Sequence, residues 1–255
     1  MNAMHRIGML VPSSNTTMET EVPALLRERE RVRPDDNFTF HSARLRMEEV
    51  TPEALRAMNA QTERATTELA DMRPNVVATV CLVAIMAQGP KHHHGVQAEI
   101  ETILERQGAP APAVSSAGAL VDALHALGAR RIGLVTPYLK KLTRLVAGYI
   151  EDAGIEVGDA VSLEVSDNRA VAALDPEDLK NHWKRLDLRN CDALVLSACV
   201  QMRSLSVIEE VERESGLPTL SAATATTWAI LGALDLEQVV PGAGALLRST
   251  PERVA

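Results

Sequence analysis

The sequence predicts an α/β protein of two pseudo-symmetric lobes, each a mainly parallel sheet flanked by helices. Three observations carry this. Short apolar runs alternate with longer amphipathic stretches along the 255 residues, the pattern of parallel strands joined by helical crossovers. The segment Arg6-Ile-Gly-Met-Leu-Val-Pro12 is echoed by Arg131-Ile-Gly-Leu-Val-Thr-Pro137. Val76-Val-Ala-Thr-Val-Cys81 is echoed, in the same order along the chain, by Leu194-Val-Leu-Ser-Ala-Cys199, with a cysteine closing both. The expected division is residues 1–115 for the first lobe and 116–221 for the second, with 222–255 packing back on the first.

Arg6 to Val11 reads as a buried strand, and Pro12-Ser-Ser-Asn-Thr-Thr17 as a polar loop entering a helix. Asn37 to Leu45 is a second strand. Thr51-Pro52-Glu53 opens a helix, with Thr51 as N-cap and Pro52 in the first turn, and it must stop before Pro74. Asn75 to Cys81 is a strand, Gly95 to Gln107 a helix and Ala113-Val114 a short strand. The second half repeats the scheme. Ser116 to Leu127 is helical and ends at Gly128, a residue suited to a left-handed stop. Arg131 to Val135 is a strand, Lys140 to Ala153 a helix, and Ala160 to Val165 a strand leading to Ser166-Asp-Asn168. Pro176 to Arg185 is helical, Ala193 to Ser197 a strand, Ser204 to Ser215 a helix and Thr219-Leu220 a short strand. Ala222 to Leu234 is the last helix.

Composition excludes several function classes. With 46% apolar residues the chain can bury a core, and with 2% aromatics that core must be aliphatic. A net charge of −8 and no basic cluster argue against a nucleic-acid partner. The longest apolar run, Val76 to Ala87, is too short to span a bilayer, so no membrane association is expected. The N-terminus enters a strand at once, without a secretory segment, and a cytoplasmic protein is expected. No Walker or Gly-x-Gly-x-x-Gly loop provides for a nucleotide cofactor. Cys81, Cys191 and Cys199 lack metal-site spacing, and three consecutive side chains at His92, His93 and His94 point in different directions on a helix. These residues therefore give no reason to expect a metal.

Cys81 and Cys199 fall at the carboxyl ends of strands, where open α/β sheets bind ligands. Cys191 starts the strand that Cys199 closes, about 26 Å away at ~3.3 Å per residue, and reads as structural. A strand-end cysteine is commonly a small core residue. Two at equivalent places of a repeat suit a small molecule held between two thiols, for proton shuttling or addition and elimination at carbon. A thiol of ordinary pKa is already a good nucleophile, and nearby backbone N–H groups would raise its thiolate fraction. Ser13, Ser14, Asn15, Thr16 and Thr17, with Tyr138 and Asn168, add neutral donors at neighbouring strand ends. Singly, each serves as a cap or turn residue; converging on one cleft they would cradle a carboxylate or oxyanion.

The opening Val11-Pro-Ser-Ser-Asn-Thr-Thr-Met-Glu-Thr20 and the segment Cys81-Leu-Val-Ala-Ile-Met-Ala87 closely resemble maleate cis–trans isomerase, of the aspartate/glutamate racemase superfamily. Thr136-Pro-Tyr138, Ser166-Asp-Asn168 and Ser197-Ala-Cys-Val-Gln201 follow in the expected order, so the resemblance spans nearly the whole chain. It implies a cofactor-free isomerase of maleate, usually a homodimer, with a four-stranded parallel sheet in each lobe and the site in the cleft between them. It further implies Cys81 as nucleophile and Cys199 as general acid/base. Asn15, Tyr138 and Asn168 would hold the carboxylates of a small dicarboxylate, helped by backbone groups around Leu82, Val83, Val200 and Gln201. The chain departs from the family pattern at Gln88-Gly-Pro-Lys-His-His-His94, where a Gly-Tyr-His-like stretch is expected. A two-cysteine racemase of an acidic amino acid is the nearest alternative, although its opening loop is normally Gly-rich. Arylmalonate decarboxylase would leave Cys81 unexplained. A non-catalytic dicarboxylate-binding protein would use only the neutral donors.

Overall fold

The computed structural model describes residues 3–48 and 51–248. The first half runs β1 (Ala3–Pro12), α1 (Met18–Val32), β2 (Asp36–Leu45), α2 (Pro52–Asn59), α3 (Thr62–Ala70), β3 (Val76–Thr79), α4 (Leu82–Met86), α5 (His92–Arg106) and β4 (Ala113–Ser115). The second runs α6 (Ser116–Ala126), β5 (Arg131–Thr136), α7 (Lys140–Asp152), β6 (Glu156–Ser162), α8 (Asn168–Ala172), α9 (Leu179–His182), β7 (Ala193–Ser197), α10 (Ile208–Ser215), β8 (Thr219–Ser221) and α11 (Ala222–Ala233). Single 3-10 turns flank α9, precede α10 and cover Ala245–Leu247.

Two four-stranded sheets form, in the orders β2-β1-β3-β4 and β6-β5-β7-β8, with every pairing parallel. The second order is the first shifted by four strands, so the repeat read from Ile-Gly and the strand-end cysteines extends to topology. Residues of β3 and β7 are buried throughout, as strands covered on both faces must be. The shared glycine has a packing reason at Gly133, where a Cβ would collide with Leu188 Cδ2. Gly128 closes α6 at φ +68°, as expected.

Four expectations need correction. The stretch from Thr51 to Pro74 is two helices, because Gln61 turns at the break. Its side chain donates to Ala57 O and Arg46 O and accepts from the N–H of Arg46, tying the helix break to the loop after β2. The strand expected at Asn75 to Cys81 ends at Thr79, and an unexpected short helix follows at Leu82–Met86. The strand expected at Ala160 to Val165 lies earlier, at Glu156–Ser162; it is a half-buried edge strand, so its alternation is weak, and its register slips beside Gly133. Pro176 to Arg185 is helical only as one short α-turn between two 3-10 turns.

The last strand of each sheet ends in a serine that caps the next helix. Ser115 accepts from Gly118 N on α6, and Ser221 from Thr224 N on α11. These two helices pack on each other, and α11 also lies against α1. The chain after α11 is held by Arg29 of α1, 2% exposed, which donates to Asp36 and to the carbonyls of Glu237 and Val239.

Candidate active site

Cys81 is the second of the two residues between β3 and α4. The first turn of that helix directs the N–H of Ala84 at its sulfur. Cys199 stands at the equivalent place after β7, where the Ser197 hydroxyl donates to Cys199 O at 2.9 Å and Met202 O at 3.1 Å. That bonding folds the turn so that the N–H groups of Gln201 and Met202 face the Cys199 sulfur. The strand-end position thus gives each thiol its own small set of backbone donors.

Both thiols line one cavity of about 20 Å³, together with Asn15, Leu82, Val83, Tyr138, Asn168, Val200 and Gln201. All nine residues named from the sequence are therefore brought together. Pro12, Met47 and Val80 complete the wall and were missed. Nothing local in the sequence points to Met47. It reaches the cavity because Ser13 Oγ accepts from its N–H at 3.0 Å and donates to its carbonyl at 3.3 Å, a contact between distant loops.

Asn15 serves as the cap considered for it and also lines the cavity. Its Oδ1 accepts from the N–H groups of Thr17 and Met18, each at 3.0 Å, at the start of α1. That fixes the amide orientation and leaves its two Nδ2 hydrogens as donors without a protein partner among the described residues. Asn168 begins α8, and its Nδ2 donates to Ser14 Oγ at 2.8 Å. The Tyr138 hydroxyl donates to Ala198 O at 3.4 Å and also approaches Cys199.

Gln201 ties these parts together. Its Nε2 donates to Ser14 O at 2.9 Å and Asn168 O at 3.0 Å, while its Oε1 accepts from Thr16 N at 2.9 Å. Thr17 Oγ1 donates to Gln201 O at 2.8 Å. The side chain and the carbonyl are both consumed by the scaffold, which leaves the Gln201 N–H, facing the Cys199 sulfur, on the cavity side.

Electrostatics overturn one expectation. Burial pushes the Cys81 thiol up to about 12, against the opposing pull of the Ala84 N–H, and a charge on Cys199 would push it further. Burial also raises Cys199, countered by Tyr138 and the two backbone N–H groups. Desolvation wins over the backbone donors, so both cysteines rest as thiols at neutral pH. Tyr138 is raised well above its ordinary value, again chiefly by burial, and stays a neutral donor.

The remaining singled-out residues lie elsewhere. Cys191 is buried before β7, next to Arg131. The three histidines do not all diverge as expected: the rings of buried His93 and exposed His94 lie with centroids 4.0 Å apart, His93 is also hydrogen-bonded through Nδ1 to the Tyr149 hydroxyl, and His92 lines a different cavity. Among the described residues no three His, Cys, Asp or Glu side chains converge as metal ligands, and no helix is long and apolar enough to cross a membrane.

Two parallel sheets of like strand order, with a buried thiol after the third strand of each, define a two-cysteine α/β enzyme of the aspartate/glutamate racemase type of fold. The model of the family described as arylmalonate decarboxylase matches residues 7–247. Within that breadth the chain is 52% identical to the maleate isomerase of Geobacillus stearothermophilus over 242 residues, 95% of this chain and 96% of the relative. A maleate-bound cysteine-to-alanine variant of the Pseudomonas putida maleate isomerase superposes with a TM-score of 0.94 at 50% identity, covering 96% of this chain and 98% of that one. A Nocardia farcinica maleate cis–trans isomerase, a cysteine-to-serine variant with a covalently bound succinylcysteine intermediate, gives 0.94 at 48%, covering 98% and 100%. The chain belongs to the maleate isomerase family.

Proposed function

We propose that this protein isomerises maleate to fumarate by cysteine addition, rotation and elimination. The observation that carries the reading is the pair of buried thiols on one small cavity rimmed by neutral donors. Rotation about a C=C bond is prohibitive, so that bond must become single for a moment. The Cys81 thiolate adds to one olefinic carbon, and the electron pair of the double bond moves toward the neighbouring carboxylate. Asn15 Nδ2, the Tyr138 hydroxyl, Asn168 and the backbone around Leu82, Val83, Val200 and Gln201 hold that charge. Cys199 protonates the second carbon, giving a succinyl–cysteine. After rotation about the new single bond, Cys199 takes a proton back and Cys81 leaves. Electrons balance within substrate and thiols, so these steps call on no redox partner.

A small cavity walled in part by Met47, Leu82 and Val83 supports a small dicarboxylate over a bulkier acid. We further infer a homodimer in the cytoplasm, where three unpaired cysteines suit a reducing compartment. The division at residues 115 and 116, with the segment from 222 returning to the first lobe, is supported by the Arg29 bonds and by α11 packing on α1.

The test is intact-protein mass spectrometry of the parent and its Cys81→Ser and Cys199→Ser variants after incubation with maleate, alongside NMR detection of fumarate. The expected result is fumarate from the parent and a maleate-sized adduct on Cys81 that accumulates when Cys199 is replaced. Neither fumarate nor adduct would overturn the reading. Deuterium entering the α-carbon of aspartate or glutamate would then favour a racemase.

A further inference from the structure

Cys81 lines a second cavity, of about 50 Å³, whose wall includes Thr79, Thr62, Asn59, Gln88, His92 and Glu99. The wall runs from buried Cys81 and Thr79 to half-buried His92 and exposed Gln88 and Glu99. Among the described residues the side chains of Thr62, Thr79, Asn59 and His92 make no hydrogen bond within the protein. A space of this size with several polar partners holds water rather than staying dry. It also gives a place to the Gln88–His94 segment, where the chain departs from the family pattern.

Addition needs a thiolate, yet burial keeps Cys81 as a thiol. Among the described residues the catalytic cavity offers its proton no carboxylate and no imidazole as acceptor. Cys199 must itself hold a proton to deliver to carbon. Among the described residues, the only imidazole on either cavity wall beside Cys81 is His92.

We propose that the second cavity is the proton exit of Cys81: water held by Thr79 and Thr62 passes the thiol proton to the His92 imidazole, which releases it to solvent. The S–H bond breaks, its electron pair stays on sulfur, and the proton is bound at an imidazole nitrogen and then lost. After elimination the same path returns a proton to the sulfur, so the net count over a turnover is zero. The ionisable groups facing this path are Cys81 at the start of α4 and His92 and Glu99 on α5. Lys91 and His93 flank His92 in sequence, while α2 and α3 contribute neutral Asn59 and Thr62. This role rests on the isomerase reading only in needing a thiolate.

Two variants test it. His92→Ala removes the acceptor, and Thr79→Val removes a hydroxyl at nearly constant shape. Turnover of maleate is measured with and without imidazole. Exchange of the Cys81 S–H for S–D in D2O is followed by infrared absorption in a Cys191→Ser, Cys199→Ser background. The expected result is a fall in kcat of at least about tenfold in both variants with KM unchanged, imidazole rescue of His92→Ala but not of Thr79→Val, and slower exchange in both. Unchanged exchange overturns the proposal, whether kcat is retained, which sends the proton forward to the substrate carboxylate, or falls without rescue, which marks a packing effect. Slower exchange in a parent that makes no fumarate would sink the isomerase reading and leave the exit standing.

Discussion

At the scale of single residues, Asn15 and Cys81 each answer to two demands. Asn15 secures the start of α1 with its oxygen, and that bond turns its amide hydrogens free. Cys81 lines the cavity it shares with Cys199, and the burial that puts it there is the chief cause that holds it protonated. The thiol has an ordinary value of 9.0 and a folded value of about 12. Below the ordinary value both folded and unfolded chains keep the proton and stability is full. Above it the unfolded chain ionises first, so stability falls as pH rises, until the folded thiol ionises too. Urea unfolding between about pH 8 and about pH 10 should therefore cost the parent about 1.4 kcal/mol more than it costs Cys81→Ser. Equal losses in the two proteins would show that Cys81 is not held protonated in the fold. The paired residues were legible because a cysteine closing the same strand twice is a pattern. Burial, which sets their protonation, is a tertiary quantity that neighbours in sequence do not report.

Elements were legible wherever local chemistry decides them. Thr51 caps α2 by accepting from Ala54 N, as its place before a proline and an acid implies. The break at Gln61 and the early position of β6 were hidden, because one depends on a bond to a distant loop and the other on edge pairing. The clearest repeated element is the strand-end serine. Ser221 is 1% exposed and takes part in a reciprocal capping box with Thr224, whereas Ser115 makes a single bond to Gly118 N. Ser221→Ala should destabilise by about 1–2 kcal/mol and Ser115→Ala by about 1 kcal/mol, read from chemical denaturation midpoints. A reversed order would mean that packing of α6 and α11, rather than capping, sets their contribution.

Across the whole molecule, the two like-ordered sheets are joined at the site by side chains that no local pattern announces. Gln201 bridges residues of the first loop to Asn168, and Glu21 of α1 accepts from the N–H groups of Ser204 and Leu205 at 2.7 and 2.8 Å. Gln201→Leu keeps the volume but strands the Ser14 and Asn168 carbonyls and the Thr16 N–H. It should lower unfolding free energy by about 2–4 kcal/mol and weaken kcat/KM for maleate, measured by urea titration and by fumarate formation. A variant of full stability and activity would show that these bonds do not hold the cleft together. Sequence repeats thus predict the architecture of each sheet, while the way the sheets meet rests on long-range bonds such as these.

Cys81 and Cys199 are both buried and both protonated at rest, although they share a cavity. Peroxide and disulfide chemistry act on thiolates, not thiols. The resting protein therefore presents both sulfurs in the state that oxidants attack slowly. Endurance under oxidative stress follows from the same burial that makes these thiols hard to ionise.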